Sequence, residues 1–282
     1  AGPGGLLLGA PPIQGEAGPF LNRRLECGEP TVAIPDVIVK AASAAYPGIA
    51  ANEYLCLKAA SAAGIATPDV ELSNDGQMLL VDRFDIDKHG NRIGFEDIAS
   101  IMGLRVRDTL SDRKYHGSYE RIAEALRMLR LAHGDFLRFF EQLAFTVMAS
   151  NGDGHLKNYG VLYTGASDLR LAPMFDVVTT SIYRYARLQG GEDLQDRTMA
   201  LKLFAGKGQT RTYPTTDALT RFGREICGVH NPGEVLCRIA DAMTDTLAAA
   251  QQDERIPADL LAQMTDVWSA GMVHATRHRA GR

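Results

Sequence analysis

Asn151-Gly152-Asp153-Gly154-His155-Leu156-Lys157-Asn158 is the stretch whose reading decides the fold. Two Asx-Gly dipeptides in succession make a turn, because Asn and Asp tolerate unusual backbone angles and bond their own chain. Residues 143–150 before it carry apolar side chains at helical spacing, and residues 159–163 after it read as a strand. The octapeptide is therefore a loop from a helix to a strand, with a carboxylate at Asp153 and a carboxamide at Asn158. One reading is an Asx-rich turn that merely closes a helix. The other is a site, and a third oxygen-bearing residue favours it. Asp176, in Ala172-Pro-Met-Phe-Asp176, follows the next expected strand at 169–173.

Working outward, Val37-Ile-Val-Lys40 is a compact apolar strand ending in a lysine. Asn52 stands where an N-cap would precede Glu53-Tyr-Leu-Cys-Leu-Lys-Ala-Ala-Ser-Ala-Ala63, and Gly64 stops that helix. Strands at 69–72 and 78–81 flank the hairpin signal Asn74-Asp-Gly76. From about Phe95 the pattern is mostly helical, with helices expected at 119–132, 136–149, 217–226, 233–250 and 257–277. The first thirty residues are rich in Gly and Pro, a loop composition with a short strand at 6–8. The expectation is an α+β, bilobal, protein-kinase-like fold. Its small β-rich N-lobe takes residues 1–85 and its larger helical C-lobe residues 86–282, with ATP in the crevice between them.

Phosphoryl transfer asks a protein for a carboxylate that orients the attacking hydroxyl, oxygen ligands for Mg²⁺, and a lysine on the phosphates. In protein kinases the first two come from a D-x-x-x-x-N loop and a later Asp. Asp153 is thus the expected catalytic base, with Asn158 and Asp176 as metal ligands, although Phe175 precedes its Asp where protein kinases have a following Phe. Lys40 is the expected phosphate lysine. Glu53 is placed to pair with it, or to favour the positive end of its own helix. Asp82-Arg-Phe84 falls where a hinge would meet adenine, or is a strand end with a solvated charge pair. His155 and Lys157 lie inside the loop, Lys157 within reach of a γ-phosphate and His155 as an orienting group. His133-Gly-Asp135 matches a catalytic triplet of aminoglycoside-type kinases, but Phe140 stands where Asn is required, so Asp135 reads as an N-cap.

Composition sets outer bounds. With 30 Lys and Arg against 34 Asp and Glu, the formal net charge is −4, without the broad basic footprint of a direct nucleic-acid binder. Cys27, Cys56, Cys227 and Cys237 form no C-x-x-C pair, and no His cluster completes a zinc site. No apolar run approaches the roughly 20 residues of a membrane span, and Leu6-Leu-Leu8 has no basic segment before it. A cytoplasmic protein without a membrane partner is expected.

The chain resembles the HipA family of bacterial serine/threonine kinase toxins. The resemblance lies in Val37-Ile-Val-Lys40, Ala51-Asn-Glu-Tyr-Leu-Cys56, Leu79-Leu-Val-Asp-Arg-Phe-Asp85, the octapeptide at 151–158, Leu171-Ala-Pro-Met-Phe-Asp176, and Met199-Ala-Leu-Lys-Leu203 with Gly206-Lys-Gly208. It runs from about residue 30 to the end, without the N-terminal subdomain that many members carry. It implies Mg²⁺ and ATP as cosubstrate, Lys40 on the phosphates, Asp82 and Phe84 at the adenine, Asp153 as base, and Asn158 and Asp176 on the metal. It also implies a protein substrate such as an aminoacyl-tRNA synthetase. The implied partner is a HipB-like helix-turn-helix antitoxin, through which alone the complex reaches DNA. One family feature is missing: members have a Gly-rich segment with an autophosphorylated serine, whereas no Ser or Thr here precedes Thr31. Two further readings stay open, a catalytically impaired kinase-fold binding module and a small-molecule kinase.

Overall fold

A lysine at the end of an apolar strand points inward only if the pleat puts it there, and in this molecule it does. The computed structural model describes residues 31–34, 36–41, 46–87, 89–104, 112–165, 167–185, 194–195 and 197–279. The short strand expected at 6–8 lies outside them. Strands β1 (Thr31–Ile34), β2 (Val37–Ala41), β3 (Val70–Leu72) and β4 (Met78–Asp82) form an antiparallel sheet in the order β1-β2-β4-β3. Side chains alternate faces along a strand. Ile38 and Lys40 of β2 therefore share the buried face, next to Leu79 and Val81 of β4.

Helix α1 (Ile49–Ala62) lies between that face and the C-terminal helices. It is buried almost all round, which its small residues Ala50, Ala51, Ala59 and Ala60 allow. It begins three residues before the expected cap. Gly48, at φ 70, takes the left-handed turn that starts it, and Asn52 sits inside the helix, fully buried. Ala50 and Ala51 are strong helix formers, so the helix runs back to the glycine rather than stopping at an available cap.

Residue 95 opens no helix. Strand β5 (Gly94–Asp97) pairs with β6 (Gly160–Tyr163), which pairs with β7 (Arg170–Leu171). Only α2 (Ile98–Ile101), capped by Asp97 Oδ1 on the Ser100 N–H, follows at once. Gly94-Phe-Glu-Asp97 carries neither alternation nor β-branched residues, so its strand comes from pairing with β6 rather than from propensity. The next helices are α3 (Tyr119–Met128) and α4 (His133–Met148). Asp135 is the third residue of α4, not its cap. Its carboxylate accepts from Leu171 N at 3.2 Å and Arg138 at 3.1 Å, tying the helix to β7. A two-stranded ribbon, β8 (Arg184–Tyr185) with β9 (Leu194–Gln195), comes next.

Three more elements complete the molecule: α5 (Thr216–Arg221) with a π-turn at Phe222–Ile226, α6 (Pro232–Ala250) and α7 (Ala258–Arg279). Helix α7 crosses the end of α4 at Gly271, where a Cβ would stand 1.9 Å from the carbonyl of Met148. Only glycine admits that approach. It seats Trp268 against Phe145, ring centroids 6.4 Å apart, directly behind the 151–158 loop.

Candidate active site

The burial of Lys40 demands a counter-charge, and two arrive from distant parts of the chain. Its Nζ donates to Glu53 of α1 and to Asp176 Oδ1, the latter at 3.1 Å. Lys40 and Glu53 are 3% and 1% exposed, so the pair is screened little by solvent. Asp176 is itself in the left-handed region at φ 53, a conformation uncommon outside glycine. Its other oxygen, Oδ2, accepts from Asn158 Nδ2 at 2.9 Å. Asn158 Oδ1 in turn accepts the His155 N–H at 2.9 Å, closing the short helix Leu156–Asn158 on itself. Lys40, Glu53, Asn158 and Asp176 thus form one bonded chain of side chains from four separate segments.

Asp153 stands beside that chain, 6% exposed. Its loop is held from within and from its neighbours. Asn151 Oδ1 accepts the Asp153 N–H at 3.0 Å, Thr180 Oγ1 accepts the Gly152 N–H at 2.7 Å, and the Tyr119 hydroxyl donates to the Gly154 carbonyl at 2.8 Å. Ser150 enters the loop at φ 52. One carboxylate oxygen of Asp153 accepts from the Tyr115 hydroxyl at 2.7 Å. Burial, and then the charge of Asp153, push the Tyr115 phenol well above its ordinary pKa, so it remains a donor. The His155 ring lies edge-on to Tyr115, with Nε2 4.0 Å from Asp153 Oδ2.

Two residues of this site escaped the sequence. Tyr115 is remote from the motifs and sits in a short helical turn that no periodicity announces. Asn52 was taken for a cap. Its side chain instead clamps the segment after Asp176, accepting the Thr179 N–H at 2.9 Å and donating to the Thr179 carbonyl at 3.1 Å. Thr179 Oγ1 accepts from Trp268 Nε1 at 2.8 Å. Burial pushes the neighbouring Cys56 thiol up to about 12, so it stays protonated, and it donates to Asn52 at 3.5 Å. Asn52 and Glu53, adjacent on α1, therefore act on the two ends of one segment, Asn52 directly at Thr179 and Glu53 through Lys40 at Asp176.

The chain matches the HipA-like C-terminal domain over residues 29–253, a span that includes Lys40, Glu53, Asp153, Asn158 and Asp176. The chain belongs to that family. HipA of Shewanella oneidensis, solved with HipB and its operator DNA, superposes with a TM-score of 0.62 at 18% identity, over 86% of this chain and 58% of that one. The Helicobacter pylori proinflammatory kinase CtkA superposes with a TM-score of 0.57 at 13% identity, over 88% and 90%. The fold is thus the HipA-like, bilobal kinase fold. Among curated proteins, "Putative kinase Y4dM" of Sinorhizobium fredii is 29% identical over 52% of this chain and 38% of its own length. "Putative kinase Y4mE" of the same organism is 26% identical over 77% and 50%. The chain spans half or less of the length of these curated relatives.

The remaining expected site residues are placed unevenly in this HipA-like domain. Phe84 packs between Phe95 and Phe175, centroids 5.5 and 5.2 Å away, and so links the end of β4 to the Asp176 segment. Asp82 is exposed at the end of β4, its N–H spent on the Asp69 carbonyl at 2.9 Å. The charge pair expected to be solvated there is instead Arg83 with Asp85, buried and bidentate at 2.9 and 2.6 Å. Lys157 is half-buried, and its charge acts on Asp97, whose carboxyl is nonetheless raised by burial. No helix among the described residues is long and apolar enough to cross a membrane.

Proposed function

We propose that this HipA-like domain is a Mg²⁺- and ATP-dependent serine/threonine protein kinase. The carrying observation is Lys40 shared between Glu53 and Asp176, with Asn158 on the second oxygen of Asp176. Lys40 would hold the α- and β-phosphates, its position along β2 fixed by Glu53. Asp176 and Asn158 would hold the metal: their side chains are in direct contact, Asp176 offers carboxylate oxygens, and Asn158 Oδ1 keeps a lone pair beyond its bond to the His155 N–H. Hard cations take such oxygens and fill the rest of their shell from phosphate and water. Bound magnesium supplies charge neutralisation on the phosphate oxygens.

Asp153 would orient the acceptor hydroxyl and take its proton. Tyr115 would hold the carboxylate in place through Oδ1, and His155, beside Oδ2, would steady the loop. Phe84 would border the adenine with the backbone that follows β4, and Lys157 and Asp82 would lie at the rim. Residues 1–85 would form the nucleotide-binding lobe and 86–282 the catalytic lobe. By likeness to the Shewanella complex, the partner would be a HipB-like helix-turn-helix antitoxin that alone contacts DNA. The substrate would be a cytoplasmic protein of translation, such as an aminoacyl-tRNA synthetase.

Incubation with γ-labelled ATP, Mg²⁺ and a bacterial lysate tests the proposal, with mass spectrometry of the labelled band. Phosphoserine or phosphothreonine on a protein, lost in Asp153→Ala, is the expected result. Label confined to small molecules would select a metabolite kinase. No ATP binding at millimolar concentration would select a binding module.

A further inference from the structure

Beyond Tyr115, the partner of Asp153, a groove of about 760 Å³ is lined by Tyr115, Ser118, Arg121, Lys202, Gly206 and Arg211. Its charge is one-sided. Three cations face a single carboxylate, Asp112, which is engaged by His116 at 3.1 Å. Lys202 and Arg211 have no ion pair among the described residues, and Arg121 only reaches Glu124 at 3.8 Å. The backbone from which both cations project is held by hydrogen bonds. The Lys202 carbonyl accepts the Tyr119 N–H at 2.9 Å, and the Arg211 carbonyl accepts the Met199 N–H at 2.7 Å. Gly206, at φ 117, leaves open space where a side chain would stand, so an extended chain can approach its backbone. Tyr115 is the wall that the groove shares with Asp153.

We propose that this groove receives the acceptor segment of the protein substrate and selects segments carrying Asp or Glu beside the acceptor hydroxyl. The proposal rests on the kinase reading of the site and adds its substrate class. A segment lying along Lys202 and Arg211 passes Tyr115 and brings its hydroxyl to Asp153. Cations that outnumber the carboxylates lining the same groove attract an acidic chain and repel a basic one, an effect that weakens with salt. The chain's overall net charge of −4 sharpens the argument, because the attraction is local to this groove.

The test separates binding from catalysis. Labelled nonapeptides with Ala in place of the acceptor, flanked by Glu, Gln or Lys, are titrated with the full chain at low and high salt. The Glu peptide should bind about tenfold tighter than the Lys peptide at low salt, the gap narrowing at high salt. Lys202→Met with Arg211→Met should remove most of that gap. Lys58→Glu, an equal change of net charge on an exposed site of α1, should keep it. If the double variant does not fold, Arg211→Met alone, an exposed side chain, should lose about threefold. Equal binding of the three peptides overturns the proposal. So does an equal loss in Lys58→Glu, or an oligonucleotide of matching charge binding as tightly. ATP affinity is measured separately on each variant. Its absence in the wild-type chain would sink the kinase reading while leaving the peptide result standing.

Discussion

The surroundings of Lys40 and those of Asp153 are two sides of the site built on opposite principles. The Lys40 side is closed: Lys40, Glu53, Asn52 and Thr179 are all under 4% exposed and bonded to one another across three segments. The Asp153 side opens onto a cationic groove of about 760 Å³, with Arg211 exposed. A group that must hold a constant ligand gains from rigid, desolvated contacts. A surface that meets variable chains gains from long charged side chains that can readjust. The difference teaches where stability and chemistry coincide in this domain and where they separate.

Breaking the chemistry alone has the largest effect. Asp153→Asn keeps the shape, and the Tyr115 hydroxyl can still donate to the amide oxygen. Phosphotransfer should fall by about 10²–10⁴-fold. The melting temperature and ATP affinity should stay near the wild-type values, read by calorimetry and by nucleotide titration. A variant that unfolds instead would show that the two sides are not separable.

On the closed side, stability and function should fall together. Lys40→Met leaves Glu53 and Asp176 without their shared ammonium in a buried site. Removing one partner of a buried pair costs about 3–5 kcal/mol. The expected result is a denaturation midpoint shifted by that amount together with loss of ATP binding. A stable Lys40→Met chain would mean that the carboxylates find other partners, and the comparison would need redrawing.

Legibility in the sequence divides along the same line. That Asp153, Asn158 and Asp176 lie near one another could be anticipated, because Asx-Gly turns mark the 151–158 stretch as a loop and Asp176 follows the next strand. Lys40 could be read because an apolar strand that ends in lysine is conspicuous. Asn52 was misread, since a cap and a buried clamp use the same residue type. Which one it is depends on Thr179, more than a hundred residues away. Strand β5 and Tyr115 were invisible because neither carries a local pattern; pairing with β6 makes the one, and proximity to Asp153 gives the other its meaning. The ribbon of β8 and β9, two residues a strand, is below what periodicity can detect.

Asn52 measures how far the closed side depends on a single clamp. Asn52→Ala removes a donor and an acceptor at once and leaves the Thr179 N–H and carbonyl unpaired in a dry site. An unsatisfied buried polar group costs about 1–3 kcal/mol. The melting temperature should drop by several degrees, since about 1 kcal/mol is worth about 2–4 °C at this size. ATP affinity should weaken less than in Lys40→Met, because Glu53 still holds the lysine. Hydrogen exchange should quicken first at the Thr179 amide.

The smallest effect is the most discriminating for the open side. Tyr115→Phe removes one hydroxyl and keeps the ring that packs on His155. A hydrogen bond donated to a carboxylate favours its charged form, so its loss raises the pKa of Asp153. A base must be deprotonated to act, so the acid limb of the rate profile should move to higher pH. The change at neutral pH should be small, within about tenfold, because a single bond contributes about 1 kcal/mol. Stability should hardly change, as the rest of Tyr115 is retained. An acid limb that stays in place would mean that the phenol does not tune Asp153, leaving it only as the wall between base and groove.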